Sequence, residues 1–178
     1  FWLCVLMILY TYAGYPILIG LMARFSPKPK PYPAFEPMVT LLIAAYNEKA
    51  SIAKKIENSL AQDYPRGKLQ ILVAADGSDD GTDEVVKTFA DRGVELSFNS
   101  ERRGKMAAIN RALPNARGEI VIMSDANNMY SANTVKAMTA PFSDGSVGAT
   151  SGAKAIFKGD ALSEAEGAYW KYESWIKK

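Results

Sequence analysis

Three polar clusters and one basic cluster hold the side chains that could do chemistry. Tyr46, Asn47 and Glu48 follow one apolar run, and Asp76, Gly77, Ser78, Asp79, Asp80 and Gly81 follow a second. Ser124, Asp125, Ala126 and Asn127 follow a third. The basic cluster is Arg102, Arg103 and Lys105 around Gly104. Carboxylate and amide oxygens suit a hard cation such as Mg²⁺ or Mn²⁺, whereas guanidinium and ammonium groups suit phosphate. The chain has no histidine and one cysteine, Cys4. Ser-His-Asp and Cys-His catalysis, His general bases, thiolate zinc sites and a disulfide framework are therefore excluded. A formal net charge of +2 gives no bias toward nucleic acid, and none is expected as a partner.

The segments between these clusters must position them. Met38–Ala45, Leu69–Ala75 and Glu119–Ser124 are apolar runs of strand length, and Val94–Asn99 alternates as a strand does. Lys49–Gln62 repeats Ile52, Ile56 and Leu60 at helical spacing. Thr82–Gly93 reads as a helix with Thr82 as N-cap and Gly93 at its stop, and Lys105–Leu113 as a helix that Pro114 ends. Strands alternating with helices predict right-handed βαβ units and a mostly parallel α/β sheet. Continuous apolar runs, Ile120 to Met123 among them, predict strands covered on both faces. In such sheets ligands sit beyond the carboxyl ends of the strands. The three acidic clusters fall at those ends. Gathered on one edge they would repel one another unless a cation or donors on a ligand intervened.

Within the clusters, Asp76 stands directly at a strand end, while Asp79 and Asp80 stand nearer the next helix and read as structural. Arg102, Arg103 and Lys105 precede a helix N-terminus, where the helix dipole favours anions. Cations there fit a shared phosphate better than they fit the helix itself. Asp125 and the Asn127 carbonyl, one residue apart, could hold Mg²⁺ or Mn²⁺ with diphosphate oxygens and water completing the shell. No Walker A loop and no G-x-G-x-x-G follows a strand.

These motifs, "AAYNE", "ADGSDDGT", "RRGKMAAIN" and "SDAN" in this order, resemble the nucleotide-sugar half of processive-type family 2 glycosyltransferases, over Val39 to Lys178. The resemblance implies a GT-A, Rossmann-like fold. It implies inverting, metal-assisted transfer of a sugar from a nucleoside diphosphate, usually UDP, to a hydroxyl of a saccharide or lipid-linked acceptor. By motif, Ala45, Tyr46 and Glu48 would lie at the uracil and ribose, Asp76 at the nucleoside, and Arg103 and Lys105 at the diphosphate. Asp125 would sit by the metal and diphosphate, with Asn127 beside it. Many relatives carry a second Asp where this chain has Asn127, and an amide is the weaker ligand. The general base and the Gln-x-x-Arg-Trp type motif are expected beyond Lys178, so the chain reads as an N-terminal fragment holding the donor site. Two alternatives stay open. One is a membrane-tethered nucleotide-sugar-binding module without turnover. The other is a nucleotidyltransferase, which would carry a basic glycine-rich loop where "AAYNEKA" stands.

From Phe1 to Ala23 no residue is charged, which is length enough to cross a hydrocarbon core of roughly 30 Å. Residues 1–24 are read as a transmembrane helix. Arg24, Lys28 and Lys30 follow, placing the next segment in the cytoplasm by the positive-inside rule. Residues 25–37, with five prolines, read as an extended spacer, and 38–178 as the GT-A domain at the cell membrane. The tail from Asp160 has Leu162, Ala165, Tyr169, Tyr172 and Ile176 at helical spacing, an amphipathic helix whose glutamates face solvent.

Overall fold

The computed structural model describes residues 1–25 and 31–152; the tail helix expected from Asp160 lies outside them. They fall into two units, one reaching to Pro31 and one from Tyr32 to Gly152. The first is helical: α1 (Trp2–Leu9), a π-helical turn over Tyr10–Gly14, and α2 (Tyr15–Phe25). The π turn falls just before Pro16, which has no N–H for the helical ladder. Trp2–Phe25 is long and apolar enough to cross a membrane, by length and composition.

The second unit is built on four parallel strands, β1 (Val39–Ala45), β2 (Leu69–Asp76), β3 (Val94–Asn99) and β4 (Ile120–Asp125). Their order is β3-β2-β1-β4. The connecting helices are α3 (Lys49–Leu60), α4 (Thr82–Lys87), α5 (Lys105–Ala112) and, after β4, α6 (Thr134–Thr139). Side chains of β1 alternate between two cores. Val39, Leu41, Ile43 and Ala45 pack with Ile52 and Ile56 of α3, Val86 of α4 and Val135 of α6. Leu42 packs with Leu72, Ala74, and Ala108, Ile109 and Ala112 of α5. The sheet is thus covered on both faces, as continuous apolar strands require.

Chain order and strand order part company at β1. The chain winds outward through β2 and β3, then returns to lay β4 on the other flank of β1. The crevice for a ligand in such sheets lies at that reversal, here between the carboxyl ends of β1 and β4. The register pairs Ala44 with Asp125, Ala45 with Ala75, and Asp76 with Asn99. All the strand-end clusters therefore share one edge.

Two expectations are corrected. β4 is not buried on both faces: among the described strands it ends the sheet, and Met123 is 58% exposed. Thr82 is not an N-cap. Gly81, with φ +87°, precedes the helix, which runs only to Lys87 before a 3₁₀ turn at Ala90–Arg92. Asp80 takes the capping role instead, accepting the Thr82 N–H at 2.9 Å. The later part of the proline-rich stretch is also bonded to the domain. The Phe35 carbonyl accepts from Thr139, that of Glu36 from Lys68, and that of Pro37 from Tyr64 at 2.6 Å. These bonds tie residues 35–37 to the domain that follows.

Candidate active site

The loop between β3 and α5 organises the carboxyl edge. Four consecutive residues, Arg102 to Lys105, contact the ends of three different strands. The Arg102 guanidinium lies 3.9 Å from the ring centroid of Tyr46, beyond the end of β1. The backbone N–H groups of Arg103 and Gly104 both donate to Asp76 Oδ2 at 2.7 Å, at the end of β2. Lys105 Nζ donates to the carboxylate of Asp125, the last residue of β4. Gly104 adopts φ +92°, a conformation that favours glycine, and it lets the backbone turn from the loop into α5.

Asp76 is 3% exposed, so its carboxylate is committed to the protein. Besides the two backbone donors it accepts from Arg111 at 3.2 Å. Burial alone would raise its pKa; the donors from Arg103, Arg111 and Gly104 outweigh burial and hold it below the usual carboxylate value. Arg111 also donates to the carbonyl of Ala75 at 2.8 Å, anchoring α5 to β2.

The β1 and β2 loops are joined to each other. Asn47, with φ +50°, donates through its amide to Asp79 at 2.8 Å and accepts the Asp79 N–H at 3.1 Å. The Glu48 N–H donates to Thr82 Oγ1 at 2.9 Å, and the Lys49 N–H to Asp80 at 3.0 Å. Asp79 and Asp80 are thus the structural residues expected of them. The Glu48 carboxylate accepts the Ser51 hydroxyl. Each of these carboxylates thus has an N–H, a hydroxyl or a lysine ammonium as a partner, which offsets part of the repulsion among the acidic clusters.

The candidate residues differ in what they present. Tyr46, Arg103, Lys105 and Asn127 are exposed, and Glu48 and Asp125 are half-buried. Ala45 is 5% exposed and belongs to the core that α3 covers. Among the described residues no group of three His, Cys, Asp or Glu side chains is placed to hold a metal. Asp125 and Asn127 supply one carboxylate and one amide oxygen. That set fits Mg²⁺ or Mn²⁺ that takes most of its shell from water and phosphate, and does not fit an all-protein cage.

Two contributors escaped the sequence reading. Lys55 of α3 is fully buried, donates to the Asn128 carbonyl and lies 3.7 Å from the Tyr130 ring centroid. Asn58, three residues on, both donates to the Tyr130 carbonyl and accepts its N–H, each at 2.8 Å. The available signal was a polar row at 55, 58 and 62 interleaved with Ile52, Ile56 and Leu60.

The parallel sheet with its reversal at β1 and helices on both faces is an α/β fold of the GT-A kind. The family model described as glycosyl transferase family 2 matches residues 40–174; the chain belongs to that family. It is 33% identical over 91 residues to the glycosyltransferase AglE of Haloferax volcanii, covering 50% of this chain and 30% of that protein. It is 32% identical over 124 residues to the beta-monoglucosyldiacylglycerol synthase of Trichormus variabilis, covering 67% of this chain and 26% of that protein. Among solved structures, the mannosyltransferase PcManGT of Pyrobaculum calidifontis, in complex with GDP-Man and Mn²⁺, superposes with a TM-score of 0.71 at 34% identity. The match covers 80% of this chain and 44% of that one. The chain thus spans under half the length of each of these proteins.

Proposed function

We propose that this chain carries the donor site of a membrane-associated glycosyltransferase that takes a sugar from a nucleoside diphosphate and passes it, with inversion, to an acceptor hydroxyl. The observation that supports it most is the loop 102–105, which sets Tyr46, Asp76 and Asp125 around one edge next to the sheet's reversal. Tyr46 and Arg102 would receive the nucleobase by stacking. Glu48, at the start of α3, lies on the ribose side. Asp76 would act at the nucleoside chiefly by holding the loop backbone, since its oxygens already accept three donors. Arg103 and Lys105 would face the diphosphate.

Asp125 with Asn127 would hold Mg²⁺ or Mn²⁺. When bound there the cation would neutralise charge developing on the leaving diphosphate. Lys105 offers a second positive charge for the same oxygens. Its present partner is the half-exposed carboxylate of Asp125, and an ion pair at the surface is weak enough to exchange for phosphate. A uridine donor is our first choice by motif. The GDP-Man complex of PcManGT makes a guanosine donor the specific competitor.

The acceptor would be a saccharide or a lipid-linked hydroxyl. The apolar helix Trp2–Phe25 supports placing the enzyme on a membrane. The basic residues Arg24, Lys28 and Lys30 support a cytoplasmic catalytic domain. Calorimetry of the full chain with UDP, GDP and TDP, with and without Mn²⁺, tests the reading. One nucleotide bound preferentially, and more tightly with metal, is the expected result; no binding of any of the three would end the donor-site reading.

A further inference from the structure

We propose that Lys55 is a positioning residue for this donor site, holding the turn that follows Asp125 from beneath through the Asn128 carbonyl. The proposal rests on the donor-site reading above. Lys55 lies in the middle of α3 between Ile52 and Ile56 and has no exposed surface. Burying an ammonium group is costly, and a methyl-ended side chain of similar volume would fill the space without that cost. Stability alone therefore gives no reason for a lysine here.

What the ammonium has instead is one carbonyl, the face of Tyr130 and the charge of Asp125. Burial lowers its pKa to about 8, against the upward pull of Asp125. The last turn of α3 and the turn that follows it grip the rest of the segment. Asn58 clamps the Tyr130 backbone at 2.8 Å in both directions, and Gln62 Oε1 accepts the Val135 N–H at 3.4 Å. Among these three side chains, Lys55 alone is charged and alone addresses the turn beside Asp125 and Asn127.

Two consequences follow from this placement. α3 begins directly after Glu48 and grips the Asp125 turn about two turns later, so a single rigid helix spaces the two sides of the pocket. Asp125 is also bonded to one ammonium group, Lys105 at the exposed edge, and its charge acts on a second, Lys55 in the interior.

The test uses the full chain and its variants Lys55→Met and Lys55→Gln. Each is titrated with UDP and with GDP, with and without Mn²⁺, and each is melted. Expected for both variants is about a tenfold weaker affinity for the nucleotide that the wild type binds, with a melting temperature at or above wild type for Lys55→Met. If Lys55→Met does not fold, Lys55→Gln decides by the same affinity criterion. Affinity within twofold of wild type overturns the proposal and leaves the donor site standing. So does an affinity loss matched by a lower melting temperature in both variants, which marks a purely structural lysine. A wild type that binds neither nucleotide overturns the donor-site reading and this proposal with it.

Discussion

Lys105, the first residue of α5, reaches across to Asp125, the last residue of β4, and joins two elements that sequence separates by 20 positions. Both side chains are about half exposed, so the pair contributes little to stability, on the order of 0–1 kcal/mol. Its placement bears on charge at the edge. Asp125→Asn is expected to abolish the Mn²⁺-dependent gain in nucleotide affinity while leaving the melting temperature near wild type. Lys105→Ala is expected to weaken binding about tenfold with and without metal. Calorimetry and a melt on each variant check both statements.

Asp76 is the opposite case, a carboxylate spent on the protein. Replacing it by alanine removes the acceptor of two backbone N–H groups and leaves Arg111 without its anion. A loss of about 3–5 kcal/mol is expected, the scale of breaking a buried pair, and denaturant unfolding measures it.

The same residue sets a pH dependence. Its pKa is lowered in the fold, so the unfolded state binds its proton more readily. Its contribution is fully present above the unfolded value near 3.9, and is lost as pH falls through the folded value. Unfolding free energy measured from pH 6 down to pH 3 is expected to fall more steeply in wild type than in Asp76→Asn. Parallel curves would contradict the assignment.

Gly77 has φ +63°, and a Cβ there would stand 2.4 Å from the backbone nitrogen of Arg102. Gly77→Ala is expected to cost about 1–3 kcal/mol and to push the 102–105 loop outward, weakening nucleotide binding as well. Gly118→Ala makes the comparison. Its Cβ would meet the Thr40 nitrogen at 2.3 Å, at the other end of the sheet, so it is expected to lower stability without changing affinity in the folded fraction.

Arg102 on Tyr46 gives a prediction about the base. Tyr46→Leu and Arg102→Ala are each expected to lower nucleotide affinity about tenfold, within the ~1–3 kcal/mol that stacking contributes. Ribose 5-phosphate, which carries no base, would bind wild type and variants alike.

Much of the architecture was legible because it is local. Apolar runs of strand length, helical spacing at Ile52, Ile56 and Leu60, and polar residues after each run depend only on neighbours along the chain. They determined a parallel α/β sheet and named the residues at its carboxyl edge. The extent of α4, the exposure of Met123 and the docking of residues 35–37 were not legible, since each depends on what packs alongside. The same holds for the site. Tertiary structure alone laid β4 against β1, stacked Arg102 on Tyr46, turned Asp76 inward to the loop and buried Lys55 under Asn128. Those contacts join residues 27 to 81 positions apart. No local periodicity encodes such pairs; they form only once the crossovers have chosen the strand order and the two cores have closed on either side of β1.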